Sequence, residues 1–584
     1  MATRTAPPRT PRSRPGAPQS PPPQRRIRWL LLLTGVLLAL CLARGVQMQV
    51  VQRGFYQERA SSQHRVSIVT HAQRGSILDR DGYRLALTES SSTIGATPAL
   101  VTDKARVVAA VAEASGESPD AILRRLDAAD VVHVDLARQV PAAAVRRVAA
   151  LGLEGLDFAD DQRRVYPSAL AAPLIGVVDG DGRGLAGLEL QYDAELRGRD
   201  GLEVRTEDPA GNAIAVDESR AMVPGRTLST GIDRQVQAQA EAVVADTRAK
   251  FRARAVTAIV LQPRTGEILA MAAAPAPRNG DFRLGTADQV RLRAITDQYE
   301  PGSTFKAVTL GAGLATGRIT PSTRVDVGLD WRLYDGVLRD AHADPGVKTA
   351  TEALRVSSNI GVAKLAYEHL STPGHRDSVL SQWIDRFGFG RPTGIDLPGE
   401  VPGTIPAYGA WSGTSPLNIP IGHGVAATPI QIAQLYATIA NGGVQVRPHV
   451  VTRIDGVGPV RAERTRLMPA RAARQLAAML EGVVSDQGTG SAAAIPGYSV
   501  AGKTGTTKKI NSDGTYSSTR YLAWFVGFAP VRNPRVLTLI MVDEPHGGEY
   551  FGGDVAGPAF SMLTGRALTA LGVQQDRPSD AAQG

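Results

Sequence analysis

The chain has 584 residues, 65 Lys+Arg against 56 Asp+Glu, one cysteine and 43% hydrophobic residues. That length corresponds to several domain-sized units, the apolar share excludes wholesale disorder, and a single cysteine excludes both a disulfide framework and a thiolate zinc site. The net charge of +9 is concentrated at one end: residues 1–28 hold seven arginines and no acidic residue, so the other 556 residues carry only +2. A basic tail on a nearly neutral body argues against a nucleic-acid partner.

Prolines 7, 8, 11, 15, 18, 21, 22 and 23 fill that tail and remove backbone donors, which predicts a disordered cytoplasmic segment over 1–28. Trp29 to Ala43 is apolar apart from Thr34, and helix continuing past Arg44 makes 29–51 a transmembrane anchor of roughly 20 residues. It is the only long apolar segment, which excludes a polytopic protein. Arginines ahead of it predict a cytoplasmic N-terminus and an exported body. Cys41-Leu-Ala43 resembles a signal-peptidase site, and Leu40 is too bulky for a lipid-modified Cys41; the reading is an uncleaved anchor.

Residues 52–225 look mixed. Residues 66–70 alternate as a strand, 74–82 read as strand plus an Asp81-Gly82 turn, and the Ala-rich stretch 102–151 has helical spacing with breaks. With no compact catalytic cluster, this region reads as an elongated pedestal. From 226 to 572 the pattern changes. Residues 233–252 form an amphipathic helix with Val236, Ala240, Val243 and Val244 on one side. Strands at 255–261 and 267–272 flank a hairpin signal ending in Gly266, and further strands follow at 498–506, 521–528 and 535–542 before a helix at 558–571. This order predicts an α+β domain, an antiparallel sheet with helices packed on it, and leaves 573–584 as a disordered tail.

Three short motifs fall in this domain. Ser303-Thr-Phe-Lys306 follows the Pro301-Gly302 turn, so Ser303 sits at a helix N-terminus with Lys306 on the same face. A serine hydroxyl becomes a nucleophile when a base takes its proton, and lysine does this only when neutral. Alone, Ser-x-x-Lys is common by chance. Ser357-Ser358-Asn359 supplies a hydroxyl for proton relay and an amide for a substrate carbonyl, although an N-cap explains it equally well. Lys503-Thr504-Gly505-Thr506 adds charge and hydroxyls for a carboxylate, and its glycines would let an extended peptide lie along the strand edge. From Gly497 to Thr504 the chain also fits a nucleotide-binding loop formally, but such a loop follows a strand and opens a helix, whereas this segment is itself strand-like.

The ordered set is far more specific than its members. It resembles that of the penicillin-recognising serine transferases, and the chain is similar to class B penicillin-binding proteins over about residues 27–572. Arg74-Gly-Ser-Ile-Leu-Asp-Arg-Asp-Gly82, Arg163-Arg-Val-Tyr-Pro167, Gly184-Leu-Ala-Gly-Leu-Glu189 and Asp208-Pro-Ala-Gly211 resemble the pedestal motifs of that class. The text at 295–303, 502–509 and 550–553 most resembles its division-specific member. The resemblance implies a five-stranded transpeptidase fold and a D-Ala–D-Ala transpeptidase. In it Ser303 is acylated, Lys306 is the base, Ser357 and Asn359 line the opposite wall, and Lys503 keeps Lys306 neutral. Ser358, Thr504, Gly505 and Thr506 border the substrate, and the N–H groups of Ser303 and Thr506 form the oxyanion hole. It further implies peptidoglycan stem peptides as substrate, β-lactams as inhibitors, a SEDS-family glycan polymerase as partner, a septal site at the inner membrane, and no metal or cofactor. His369 and His375 lie in a polar loop; His423, beside Gly422 and Gly424, is a candidate to line the cleft.

Alternatives remain open at this level. An elongation-specific enzyme shares the motifs. A class A β-lactamase needs a glutamate with a nearby asparagine, which Glu368, Glu400, Glu463 and Glu481 lack. A bifunctional synthase needs an additional domain for which about 170 residues leave no room. A scaffold with a retired pocket is the non-catalytic reading.

Overall fold

The computed structural model describes residues 23–54, 65–128, 132–207, 213–277, 282, 285–371 and 378–578. The chain divides into two units, Met1–His71 with Asp200–Met222, and Ala72–Arg199 with Val223–Gly584. In the first, Pro23–Val46 is α-helical and Gln47–Val51 continues as a π-helical turn. Ile27–Val51 has mean hydropathy 2.1 and is unburied, so this helix is long and apolar enough to cross a membrane. The same unit holds a three-stranded sheet in the order Arg65–Thr70, Gly201–Glu207, Ala213–Arg220. The motif at 208–211 and His375 lie outside the described residues.

In the second unit, Arg84–Ala96 is the longest strand of a sheet that also pairs Ile77–Leu78, Val134–Pro141 and Leu156–Val165. The expected helical stretch 102–151 is only partly helical. Its helices are Lys104–Ser115, Pro119–Leu126 and Ala142–Ala149, and Val134–Pro141 is a strand. Apolar residues at 134, 136 and 140 fit a strand's period of two, and pairing to Arg84–Ala96 decides the conformation. The sheet continues through Leu228–Thr230 to Val451–Ile454, so it spans the expected boundary near residue 225. Three quoted motifs meet at one buried carboxylate. Glu189, fully buried, accepts from Arg74 Nε and Arg164 Nε at 2.7 Å each, and from Tyr166 OH at 3.4 Å.

The C-terminal part starts with α1 (Arg234–Phe251), capped by Asp233, whose carboxylate accepts from Gln235 N at 3.0 Å and Val236 N at 3.1 Å. Val236, Ala240, Val243 and Val244 are buried as their spacing predicts. Strands β1 (Ala255–Leu261) and β2 (Ile268–Ala274) form the hairpin. Helices α2 (Lys306–Thr316), α3 (Ala350–Arg355) and α4 (Asn359–Leu370) belong to the long insert. Strands β3 (Ala501–Ile510), β4 (Tyr516–Ala529) and β5 (Val536–Asp543) follow, then α5 (Gly557–Ala570). The sheet order is β2-β1-β5-β4-β3, antiparallel throughout, with β3 at an edge. Both faces are covered. Val256, Ala258 and Val260 share a core with residues of α1 and α5, while Ile259 and Leu261 join the core that holds Phe305 and Trp524. Their alternation is the pleat of β1.

β3 begins three residues later than expected. Asp576 accepts from Ser499 N at 2.7 Å and also from its hydroxyl, and Tyr498 OH donates to Val573 O at 2.6 Å. The turn 497–499 is thereby held off the ladder by residues 573–577. This part of the expected disordered tail is ordered, while 579–584 lie outside the described residues. Lys503 therefore sits inside a strand, and the nucleotide-loop pattern is not built.

Candidate active site

Gly302–Phe305 is a 3-10 turn leading into α2. Gly302 takes φ +53, and a Cβ there would lie 2.3 Å from Thr507 Cγ2. Gly505 on β3 would place a Cβ 3.0 Å from Thr304 Cγ2 and 3.2 Å from Pro301 O. These two glycines let the turn bearing Ser303 lie directly on the sheet edge. Gly505 thus makes room for the turn that carries Ser303. Gly502 likewise faces the Phe525 ring, 2.7 Å from a would-be Cβ.

The second motif lies where two helices meet. Ser357 follows α3 with φ +59; Ser357 N donates to Leu354 O at 3.1 Å and Ser358 N to Ala353 O at 2.8 Å. This is a Schellman ending with serine in the left-handed position usually held by glycine. Ser358 caps α4, its hydroxyl accepting from Gly361 N at 2.9 Å and donating to Asp340 Oδ2 at 2.7 Å. Ser358 is buried and shapes the helix junction. Asp340 also accepts from Asn359 N at 2.5 Å and Ile360 N at 2.9 Å.

The motifs converge on one atom. Ser357 Oγ donates to Ser303 Oγ at 3.0 Å and accepts from Lys503 Nζ at 2.9 Å and Lys306 Nζ at 3.2 Å. Lys306 Nζ also donates to Asn359 Oδ1 at 2.8 Å and Ser357 O at 2.5 Å. The hydrogen-bonded path from Ser303 to Lys306 thus passes through Ser357. Burial pushes the Lys306 ammonium down to about 7, against the opposing pull of Asp340. Burial, then the charge of Lys306, pushes Lys503 well below the usual lysine range. Two fully buried ammonium groups on one hydroxyl disfavour double charging, so one amine is available as a base.

Lys503 Nζ also donates to Thr504 Oγ1 at 3.0 Å, and the Thr504 and Thr489 hydroxyls are 2.8 Å apart. Thr506 Oγ1 accepts from Gly552 N at 2.9 Å, which leaves its proton available to an anion. Thr504 and Thr506 are thus on the edge strand, against which the 302–305 turn packs. His423 lies against Glu300, its Nδ1 3.0 Å from Oε2. His369 lies in the last turn of α4, at the opposite end of that helix from Asn359. Among the described residues no cluster of metal-ligating side chains occurs.

The penicillin-binding protein transpeptidase domain matches residues 256–565, and the penicillin-binding protein dimerisation domain matches 69–230. The chain is a class B penicillin-binding protein. The peptidoglycan D,D-transpeptidase FtsI of Escherichia coli (strain K12) is 32% identical over 559 residues, covering 94% of this chain and 92% of that one. The probable peptidoglycan D,D-transpeptidase PenA of Neisseria meningitidis serogroup B is 30% identical over 563 residues, with 95% and 94% covered. The crystal structure of penicillin binding protein 3 from Mycobacterium tuberculosis, complexed with aztreonam, superposes with TM-score 0.67 at 29% identity, covering 88% of this chain and 99% of that one. In this class B protein, sequence reasoning missed Asp340 and Glu300. Asp340 is a single acidic residue in a loop with no spacing signal to mark it, whereas Glu300 lies within the 295–303 text, three residues before Ser303.

Proposed function

We propose that this class B penicillin-binding protein is a peptidoglycan D,D-transpeptidase that cross-links stem peptides of the septal wall. Ser303 attacks the D-Ala–D-Ala carbonyl, its proton passing through Ser357 to the neutral amine of Lys306. The terminal D-Ala departs, and an amine of a neighbouring stem peptide takes the acyl group. Lys503, Thr504 and Thr506 hold the donor strand on β3, Asn359 holds its amide, and the N–H groups of Ser303 and Thr506 receive the oxyanion. β-Lactams acylate the same hydroxyl. The single observation that carries this reading is the meeting of Ser303, Lys306 and Lys503 at Ser357 Oγ.

Residues 29–51 anchor the chain with its N-terminus in the cytoplasm, 52–225 form the pedestal and 226–572 the exported transpeptidase domain. A SEDS-family polymerase is the partner that makes the glycan strand. Labelling with a fluorescent penicillin, mapping the adduct by mass and imaging the labelled protein test this together. An adduct on Ser303 and a septal signal are expected; side-wall signal would assign the elongation role, and rapid penicillin turnover a β-lactamase.

A further inference from the structure

Glu300 stands three residues before Ser303, with its side chain 8% exposed. Its carboxylate accepts from Gly424 N at 2.7 Å and from Tyr516 OH at 3.0 and 3.1 Å, and contacts His423 Nδ1 at 3.0 Å. A carboxylate on Nδ1 selects the tautomer with its proton there, which leaves the Nε2 lone pair as an acceptor. Among the described residues Nε2 has no hydrogen-bond partner, and the side chain is 26% exposed. The backbone ties the residue before His423 to the residue before Ser303. Gly302 N donates to Gly422 O at 3.1 Å, and a Cβ on Gly422 would lie 2.3 Å from Gly302 O. On the other side the Tyr516 ring meets the imidazole edge-on at 5.9 Å. Tyr516 pairs with Ile510 at the far end of β3. Glu300 and Tyr516 are thus the titratable groups against His423, while Lys306 and Lys503 are engaged at Ser357.

We propose that His423, oriented by Glu300, takes the proton that the acceptor amine must lose before it attacks the acyl-enzyme. The inference rests on the transpeptidase reading above and concerns its second half. An alkyl amine arrives as an ammonium near neutral pH and has no lone pair to attack with. His423 Nε2 receives the first proton, and Glu300 stabilises the imidazolium. The amine nitrogen then bonds to the acyl carbon. As the carbon–Ser303 Oγ bond breaks, the second proton returns to Oγ through Ser357. Ammonium, ester and imidazole thereby become amide, serine and imidazolium, with charge conserved.

The test uses the full chain with a thioester acyl-D-Ala donor, D-alanine as amine acceptor, and fluorescent penicillin as a separate measure of acylation. In His423→Ala the ratio of acceptor-dependent release to acylation is expected to fall about a hundredfold, and added imidazole should restore it. Glu300→Gln should lower the same ratio by a smaller factor. An unchanged ratio, or a loss confined to acylation with no imidazole rescue, overturns the proposal. A wild-type protein that penicillin does not label defeats the transpeptidase reading itself, a distinct result.

Discussion

Asp340 takes the backbone N–H of Asn359 at 2.5 Å and thereby fixes the first turn of the helix that carries the second motif. The same carboxylate holds Ser358 and Ile360, and its charge favours protonated Lys306. Asp340→Asn should cost about 1–2 kcal/mol of stability through the weakened cap, measured by urea unfolding. Loss of the charge lowers the Lys306 pKa further, so the acid limb of acylation should move to lower pH. A limb that stays fixed or moves upward contradicts this.

Lys306 titrates near 7 in the folded protein against 10.5 for a free lysine. Acylation by penicillin should therefore rise as pH climbs through about 7 and the amine loses its proton. Over the window from about 7 to 10.5 the unfolded chain binds more protons than the folded one, so stability should increase with pH there. Lys306→Met should abolish acylation and flatten part of that slope, read from denaturation midpoints across the window.

Ser357 holds a left-handed backbone conformation that glycine adopts without strain. Ser357→Ala and Ser357→Gly both remove the relay hydroxyl, and both should slow acylation about a hundredfold. The glycine variant should nevertheless be more stable than the alanine variant by about 1 kcal/mol. Equal melting temperatures would show that this position is unstrained.

Gly505→Ala tests how closely the nucleophile's turn lies on the edge strand. The new methyl meets Thr304 Cγ2 at 3.0 Å and Trp524 Cβ at 3.1 Å. A destabilisation of about 1–3 kcal/mol is expected, with slower acylation as Ser303 is displaced. Thr304→Ser in the same chain removes one of the clashing atoms and should recover part of both losses. Additive effects in this double-mutant cycle would refute the contact.

Glu189→Ala strands the Arg74 and Arg164 guanidinium groups without their shared partner. Arg74 keeps Asp193 at 2.7 Å, whereas the buried Arg164 charge loses its carboxylate, and leaving a buried charge uncompensated costs about 3–5 kcal/mol. The variant should unfold at markedly lower denaturant, and a shift within experimental error would show that these arginines find other partners.

Much of the sheet was legible in the sequence. β1 lies at 255–261 as expected, and α1 buries the apolar residues that its spacing selects. These elements follow from side-chain periodicity, which is a local property. The start of β3 was not legible, because Asp576 captures Ser499 from some 77 residues away. Nor was the strand at Val134–Pro141, which lies within an Ala-rich stretch that suits helix until a neighbouring strand offers its hydrogen bonds. In the site, Ser303, Lys306, Ser357, Asn359 and Lys503 could be named from three motifs, whereas Asp340, Glu300 and the inward-facing role of Ser358 could not.

The sequence by itself determined the long apolar N-terminal helix, the order of strands and helices, and the residue types available for acyl transfer, because hydrophobic period and motif spacing are written along one dimension. Only the tertiary structure decided that Ser357 Oγ is the atom at which Ser303 and two lysines meet. It also decided that Lys306 is buried enough to lose its proton near pH 7. Burial and the sharing of a hydroxyl by two amines depend on distances between segments some 50 to 150 residues apart, which folding alone brings together.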